Sequence, residues 1–369
     1  MAIVIQPFTE ERTEAVRAFN RRLAAGGIAS EFHFPENHVP HWLPPVPGRR
    51  IYQEYFLALD HDDVRGAFIL KHQDFSFQGQ AHPVVYYHLP ISEGIVNKAY
   101  AGVGVHMLRS ALKLEPTLYC LGMGGFDRPL PRMLHAMGWS LCEVPFFFRV
   151  RRPARFLRQI APLRTTTGKR LLADLAAFSG LGSLGIRAVQ AVKTRSARGI
   201  SVEPFGSFGA WADELWQRCK DHYGMAAVRD RATLDVLYPA GKNFVRLKVT
   251  RGSQLLGWAV VLDTPMRSNK YFGNLRLGSI ADCMALPADA PAILQAAAGY
   301  LDRQGSDLVV SNQVHAAWRH AFRRSGFFQG PSNFIFAASK NLSAMLAPFE
   351  ITRDLMFLMR GDGDGPVNL

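Results

Sequence analysis

Two stretches of the chain carry the same succession of apolar and polar positions. The first begins with Val4, Ile5 and Phe8 around Pro7, passes through Thr9-Glu10-Glu11-Arg12 and continues at helical spacing to Ala24. The second begins with Val202 and Phe205 around Pro204 and continues at helical spacing over 211–223. Each predicts a short strand, a Pro-Phe corner and a helix. Apolar runs at 52–59 and 68–70 then flank the polar turn Asp60-His61-Asp62-Asp63, with Gly66 beyond it. Their counterparts at 244–249 and 258–262 flank Thr250-Arg251-Gly252-Ser253, with Gly257 beyond. Both pairs predict a hairpin whose second strand begins at the glycine.

The ends of the two stretches agree as well. A shift of 188 residues lays Tyr119-Cys120-Leu121-Gly122-Met123 on Asp307-Leu308-Val309-Val310-Ser311, both short apolar strands. It lays the helical pattern at 130–137 on that at 318–325, and Gly138-Trp139 on Gly326-Phe327. In each the glycine is placed to supply a left-handed helix end, and the aromatic opens a Phe-rich strand, at 142–150 and 333–338. Three landmarks kept in order predict two copies of one α/β (α+β) domain. The expected boundaries are 1–150 and 200–340, with a connection at 151–199 and an extension at 341–369.

Composition adds a location for the charge. The 369 residues are 48% hydrophobic and carry a net charge of +13, which describes a globular chain with an affinity for polyanions. Between 151 and 200, however, stand Arg151, Arg152, Arg155, Arg158, Arg164, Lys169, Arg170, Arg187, Lys193, Arg195 and Arg198 against the single anion Asp174. That segment holds +10 of the total, and neither repeat is basic in the manner of a nucleic-acid-binding domain. Leu171, Leu175, Phe178, Leu181 and Leu184 fall at helical spacing within it. An interfacial helix on an anionic membrane surface is one expectation, and a flexible crossover packing its leucines on one copy is the other. The longest uncharged stretch there, 175–186, is too short to span a bilayer, and residues 1–19 lack the pattern of an export signal. Cys120, Cys142, Cys219 and Cys283 have no metal-like spacing and read as reduced, buried thiols, so a cytoplasmic protein, peripheral at the inner membrane in the first reading, is expected.

The order strand, helix, hairpin, long strand, glycine-containing helix start, strand, helix, Gly-aromatic, strand is similar to the GNAT superfamily of CoA-dependent N-acyltransferases. The resemblance covers about 1–150 and 200–340. The tandem arrangement resembles the FemAB-related and exopolysaccharide-associated acyltransferases of bacteria. The terminal run Phe357-Leu358-Met359-Arg360-Gly361-Asp362-Gly363-Asp364-Gly365-Pro366 resembles the aspartate-glycine tail of the latter group. Two GNAT-like domains are implied, each a mixed, mostly antiparallel sheet flanked by helices. Acetyl-CoA or another acyl-CoA is implied as substrate, with no metal, and an amine of a sugar, amino acid or cell-envelope precursor as acceptor. A FemAB-like transfer from aminoacyl-tRNA, and a membrane or RNA tether without catalysis, stand as alternatives.

Within this resemblance, Lys98-Ala99-Tyr100-Ala101-Gly102-Val103-Gly104-Val105 is the expected CoA loop. Gly102 and Gly104 match its two small positions, while Ala99 stands where the family has Arg or Gln. A glycine-rich helix start offers free N–H groups and the positive dipole end to a pyrophosphate. The second copy has Leu286-Pro287-Ala288-Asp289-Ala290-Pro291 there, where Asp289 is expected to cap the helix and repel phosphate. Lys98, Ala101, Gly102, Val103, Gly104 and Val105 are thus the expected cofactor residues. Glu93 and His88 are candidate bases. Tyr119 is the candidate donor to the leaving thiolate, because the family's tyrosine position falls on Leu134. Asp282, Asn312, His315 and Arg319 are candidate acceptor contacts in the second copy. The Asp-Gly tail lacks the pattern of a Ca²⁺ loop and reads as a mobile or cleft-covering segment.

Overall fold

The computed structural model describes residues 3–40, 42–48, 50–161, 171, 175–176, 178, 180–193, 199–241 and 243–363. Arg164, Lys169, Arg170, Asp174, Arg195, Arg198, the side chain of Lys193 and residues 364–366 of the tail lie outside them. The first stretch forms β1 (Val4–Pro7), α1 (Thr13–Ala25), β2 (Tyr52–Asp60), β3 (Asp63–Phe77), β4 (Gln80–Ser92), α2 (Val103–Leu114), β5 (Leu118–Met123), α3 (Pro129–Ala136), β6 (Ser140–Glu143) and β7 (Phe146–Val150). After α4 (Pro153–Gln159) and α5 (Leu181–Lys193), the second forms β8 (Ile200–Phe205), α6 (Ala210–Cys219), β9 (Met225–Ala227) and α7 (Arg231–Leu237). It continues with β10 (Phe244–Arg251), β11 (Gln254–Pro265), β12 (Arg276–Ala285), α8 (Ala290–Arg303), β13 (Leu308–Asn312) and α9 (Ala316–Arg324). It ends with β14 (Phe328–Gly330), β15 (Phe334–Ala338) and β16 (Met356–Phe357).

The repeat extends to irregularities. Gly66 pairs with Ala58 and Gly257 with Val249, and in each hairpin the register shifts at the next residue. Both glycines lie inside their strands rather than at the start, because β3 and β11 begin three residues earlier. Close helix packing explains them. A Cβ on Gly66 would lie 2.6 Å from Met107 Sδ of α2, and one on Gly257 would lie 2.2 Å from the Met284 carbonyl and 2.9 Å from Ile293 of α8. Gly138 and Gly326, at φ of 81° and 78°, end α3 and α9 in the left-handed region as the sequence predicts.

The chain forms two compact units, and these depart from a cut at 150. One comprises 1–75, 80–142 and 335–349; its strand order is β1-β2-β3-β4-β5-β15-β6. The other comprises 76–79, 143–334 and 350–369; its order is β14-β7-β13-β12-β11-β10-β8. The last strand of each repeat therefore belongs to the sheet of the other, in the equivalent slot. The single strand expected at 142–150 is broken at Val144-Pro145, where proline has no N–H for a ladder. The Pro145 carbonyl instead accepts from Gln313 N at 3.1 Å, and Val144 N donates to Phe334 O at 2.8 Å. Gly330-Pro331 makes the corresponding break before β15.

Each sheet is mixed. In the first unit β1, β2 and β3 are antiparallel and β4 is parallel to β5; in the second β8, β10, β11 and β12 are antiparallel and β12 is parallel to β13. Val16, Phe19 and Leu23 of α1 pack with Tyr55, Leu57 and Ile69, whereas Val103, Met107 and Leu108 of α2 pack with Phe56, Phe68 and Tyr87. Alternate residues of β2 and β3 thus serve helices on opposite faces. All four cysteines are free and buried, and burial pushes the Cys219 thiol up to about 12. No helix among the described residues is long and apolar enough to cross a membrane.

The contacts of Gly257 make Gly257→Ala costly, since backbone must move; a loss of about 2 kcal/mol is expected in urea unfolding. Gly185, in α5 with nothing within 4 Å of an added Cβ, gives the opposite sign, and Gly185→Ala is expected to gain up to about 1 kcal/mol.

Candidate active site

The first unit has a cleft where β4 and β5 part. They pair only at Val85 with Leu118 and Tyr86 with Tyr119. Beyond that, Leu89 takes φ of 44°, and Gly122, Met123, Gly124 and Gly125 all have positive φ at the end of β5. The Tyr86 hydroxyl donates to the Leu121 carbonyl at 2.9 Å, covering one backbone acceptor that the parting leaves. The chain then turns twice before α2. Ser92 Oγ accepts from Gly94 N at 3.1 Å and Asn97 Oδ1 from Ala99 N at 3.1 Å. Gly94 is required for the second approach, because a Cβ there would lie 2.5 Å from the Tyr100 carbonyl.

This arrangement delivers an open helix start. Gly102 occupies the N-cap position of α2, no side chain caps the helix, and its first turn holds no acid. A Cβ on Gly102 would meet nothing within 4 Å, and one on Gly104 would meet only Ser92 Cβ at 3.9 Å. Lys98 and Ala101 are exposed beside it, while Val103 is buried and Val105 half-buried. The first-turn N–H groups thus face open space with a cation nearby, which suits an anionic group.

The three expected proton-transfer residues separate here. Glu93 is 3% exposed and its carboxylate receives Arg22 Nε at 3.0 Å and Arg65 Nη1 at 3.1 Å. The Arg65 guanidinium in turn lies 4.3 Å over the Tyr100 ring. Glu93 therefore ties α1 and β3 to the turn before α2. Tyr119 is fully buried among Tyr86, Phe75 and Phe336, with centroids at 5.0, 5.3 and 6.1 Å. It is a core ring and not a donor at the cleft. His88 alone of the three is half-buried, its ring stacked on Tyr86 at 5.0 Å. Leu134 is core.

The second unit has the same parting, filled by its own chain. After Ser279 and Val310 the strands β12 and β13 diverge, and the segment 356–363 occupies their surroundings. β16 pairs with β9, Leu358 N donates to Gln313 Oε1 at 3.3 Å, and Met359 Sδ lies 3.4 Å from Cys283 Sγ. Phe357 packs against Tyr223 at 4.9 Å and Trp318 at 5.3 Å. A Cβ on Gly361 would lie 2.5 Å from Tyr238 Oη, which only glycine avoids. The Asp362 carboxylate accepts from Arg229 at 2.8 Å and from Met359 N at 2.7 Å.

Three of the four expected acceptor contacts have partners within the second unit, and Asp282 belongs to the Arg229 network. Asp282 is buried and accepts from Arg229, from the Tyr238 hydroxyl at 2.7 Å and from Cys283 N at 2.8 Å. Arg319 pairs with Asp354 at 2.9 Å. His315 is the N-cap of α9, its Nδ1 accepting from Ala317 N at 3.2 Å; burial, with Arg319 adding to it, pushes its pKa down to about 4. Asn312 alone borders open space, a cavity of about 490 Å³ with Phe148, Phe156, Tyr271, Phe334 and Arg360. Asp289 stands at the N-cap position of α8 without capping it, which corrects that expectation; Ala290, Ala292 and Ile293 bury the start of the helix instead. Arg229 and Tyr238 were missed in the sequence, since neither stands in a motif. No group of three or more His, Cys, Asp or Glu side chains suits a metal ion among the described residues.

No protein-family model matches the sequence, and no curated protein matches it either. Solved structures do. The chain is similar to N-myristoyltransferase of Saccharomyces cerevisiae with bound myristoyl-CoA, at 8% identity and TM-score 0.53 over 91% of this chain and 82% of that one. It is similar to a GCN5-related N-acetyltransferase of Anabaena variabilis at 10% identity and TM-score 0.51, over 91% and 72%. A tandem GNAT protein of the clavulanic acid biosynthesis pathway is aligned over 91% and 98% at 12% identity and TM-score 0.49. The chain shares the fold of the N-myristoyltransferase and of the GCN5-related N-acetyltransferase. The open helix start lies in its first unit, and the cleft of its second unit is filled by the segment 356–363.

The His315 environment sets a pH dependence. Its folded pKa of about 4 lies below the ordinary 6.5, so between these values the unfolded chain takes up a proton that the folded chain refuses. Stability is therefore lost as pH falls from 6.5 towards 4, by about 3 kcal/mol, and is unaffected by this group above that window. His315→Asn, which keeps an acceptor for the Ala317 amide, is expected to flatten that part of a stability-against-pH curve measured by urea unfolding.

Proposed function

We propose that the protein is an acyltransferase that moves an acyl group from CoA to an amine, with CoA held by the first domain. The observation that carries this reading is the uncapped, open Gly102–Gly104 start of α2 beside the parting of β4 and β5. The filled cleft of the second domain supports the assignment by contrast. CoA brings a pyrophosphate, which the first-turn N–H groups of Val103, Gly104 and Val105 and the ammonium of Lys98 would hold. Its thioester would enter between the parted strands, past the point where β4 stops pairing with β5.

In the reaction the amine nitrogen bonds to the thioester carbonyl carbon, the carbon–sulfur bond breaks, and the CoA thiolate takes up a proton as the nitrogen loses one. Among the three groups expected to move a proton, His88 is the one with access to solvent, so it is assigned the base role, directly or through water. Glu93 is assigned a positioning role through Arg22 and Arg65. An amine on a sugar, amino acid or cell-envelope precursor is the proposed acceptor class. Transfer from aminoacyl-tRNA is less supported, because Arg151 pairs with Asp302 and Arg152 and Arg155 pair with Asp307, so that carboxylates offset three cations of the basic segment.

Calorimetry with acetyl-CoA tests the reading. The wild type is expected to bind, and Gly102→Glu, at an exposed position, is expected to weaken binding at least about tenfold by placing a carboxylate at the dipole's positive end. Asp289→Arg in the second domain is expected to leave binding unchanged. Binding that survives Gly102→Glu and responds to Asp289→Arg would reverse the roles of the domains.

A further inference from the structure

The segment 171–192 concentrates apolar surface in a way that the acyltransferase reading leaves unexplained. Leu171, Leu175, Phe178, Leu181, Leu184, Val189 and Val192 are 67, 64, 85, 72, 64, 44 and 87% exposed. They are seven of the seventeen large exposed apolar side chains among the described residues, and the others are scattered through the chain. Scattered ones need no explanation, whereas a cluster of this kind marks an interaction surface.

The helix α5 shows that this exposure has a direction. Its inner face is seated on the second unit: a Cβ on Gly182 would lie 2.8 Å from Leu157 of α4, Ile186 joins the cluster of Phe156, Ile160 and Leu308, and Gln190 Oε1 accepts from Val150 N at 3.1 Å. The outer face, one helical step round, presents Leu181, Leu184, Ala188 and Val192 to solvent, with Arg187 exposed beside them. In the sequence the same spacing runs back through Phe178, Leu175 and Leu171. Cations bracket the stripe in the sequence, Lys169 and Arg170 just before Leu171 and Lys193, Arg195 and Arg198 just after Val192.

The charge chooses between occupants. A second copy of the chain on this face would bring one +10 segment against another in a self-complementary contact. An anionic bilayer meets both properties, taking the leucines at the acyl boundary and the cations at its headgroups. Among the described residues Arg187 is exposed beside the stripe, and the sequence places further cations on both sides of it. Each cation that reaches the bilayer surface raises partitioning about fivefold. We propose that the outer face of α5 docks the protein on an anionic phospholipid bilayer.

Sedimentation of the full chain with vesicles tests this. Wild type is expected to pellet with phosphatidylglycerol-containing vesicles, to pellet far less with pure phosphatidylcholine, and to be released by high salt. The triple variant Leu181→Glu/Leu184→Glu/Val192→Glu, whose changes are all at exposed positions, is expected to lose at least about tenfold in partitioning. Ile351→Glu, a 66% exposed apolar position elsewhere, is expected to match wild type, and circular dichroism confirms that each variant is folded. Equal pelleting with neutral and anionic vesicles, or a triple variant that pellets like wild type, overturns the proposal. A dimer seen by light scattering that the triple variant dissolves also overturns it and assigns the face to a second copy.

Discussion

Where two parallel strands part, the backbone groups that faced each other lose their partners, and a buried amide or carbonyl without a partner costs free energy comparable to a lost hydrogen bond. Both units contain such a parting, between β4 and β5 and between β12 and β13. The surrounding structure can be read as two answers to that constraint. In the first unit the Tyr86 hydroxyl covers one carbonyl and the remainder opens onto an uncapped helix start. In the second, the segment 356–363 supplies protein atoms, with Gln313 and Asp362 binding its backbone and Arg229 joining Asp362 to Asp282. One fold, used twice, thus gives an open cleft and a closed one.

The closed cleft reassigns polar residues that a motif search would favour. Asp282 and His315 are the kinds of group that bind ligands, and Arg229 with two carboxylates in a buried cluster resembles an active site in composition. Their partners are all internal, and breaking such a buried pair costs about 3–5 kcal/mol by leaving a charge uncompensated. Glu93 plays the same part in the first unit. Buried, paired ionisable groups here mark where the chain is held together, and the candidate site is marked by open space and missing side chains at Gly102 and Gly104.

Much of this architecture was legible in the sequence because its signals are short-range. The strand, Pro-Phe and helix openings, the hairpins, the Gly138 and Gly326 helix ends and the glycines of the α2 start each depend on residues within a few positions. The positions of Gly66 and Gly257 were read correctly as landmarks and wrongly as strand starts, because the helices that require them come from α2 and α8, some forty residues on. Pro145 and Pro331 were visible breaks, but a proline says only that a ladder stops and not which sheet receives the next strand.

The sequence by itself determined that there are two related domains, that the first keeps a glycine-rich helix start and that the charge gathers between them. The tertiary structure alone decided that β7 and β15 each complete the other repeat's sheet, that the segment 356–363 fills the second cleft and that Glu93 and Tyr119 are buried. The physical reason is separation along the chain. Arg22 meets Glu93 across 71 positions and Arg229 meets Asp362 across 133, and no periodicity or local spacing carries information over such distances. Local chemistry specifies elements, whereas the choice of partner for each unsatisfied strand and charge is made only when the whole chain is packed.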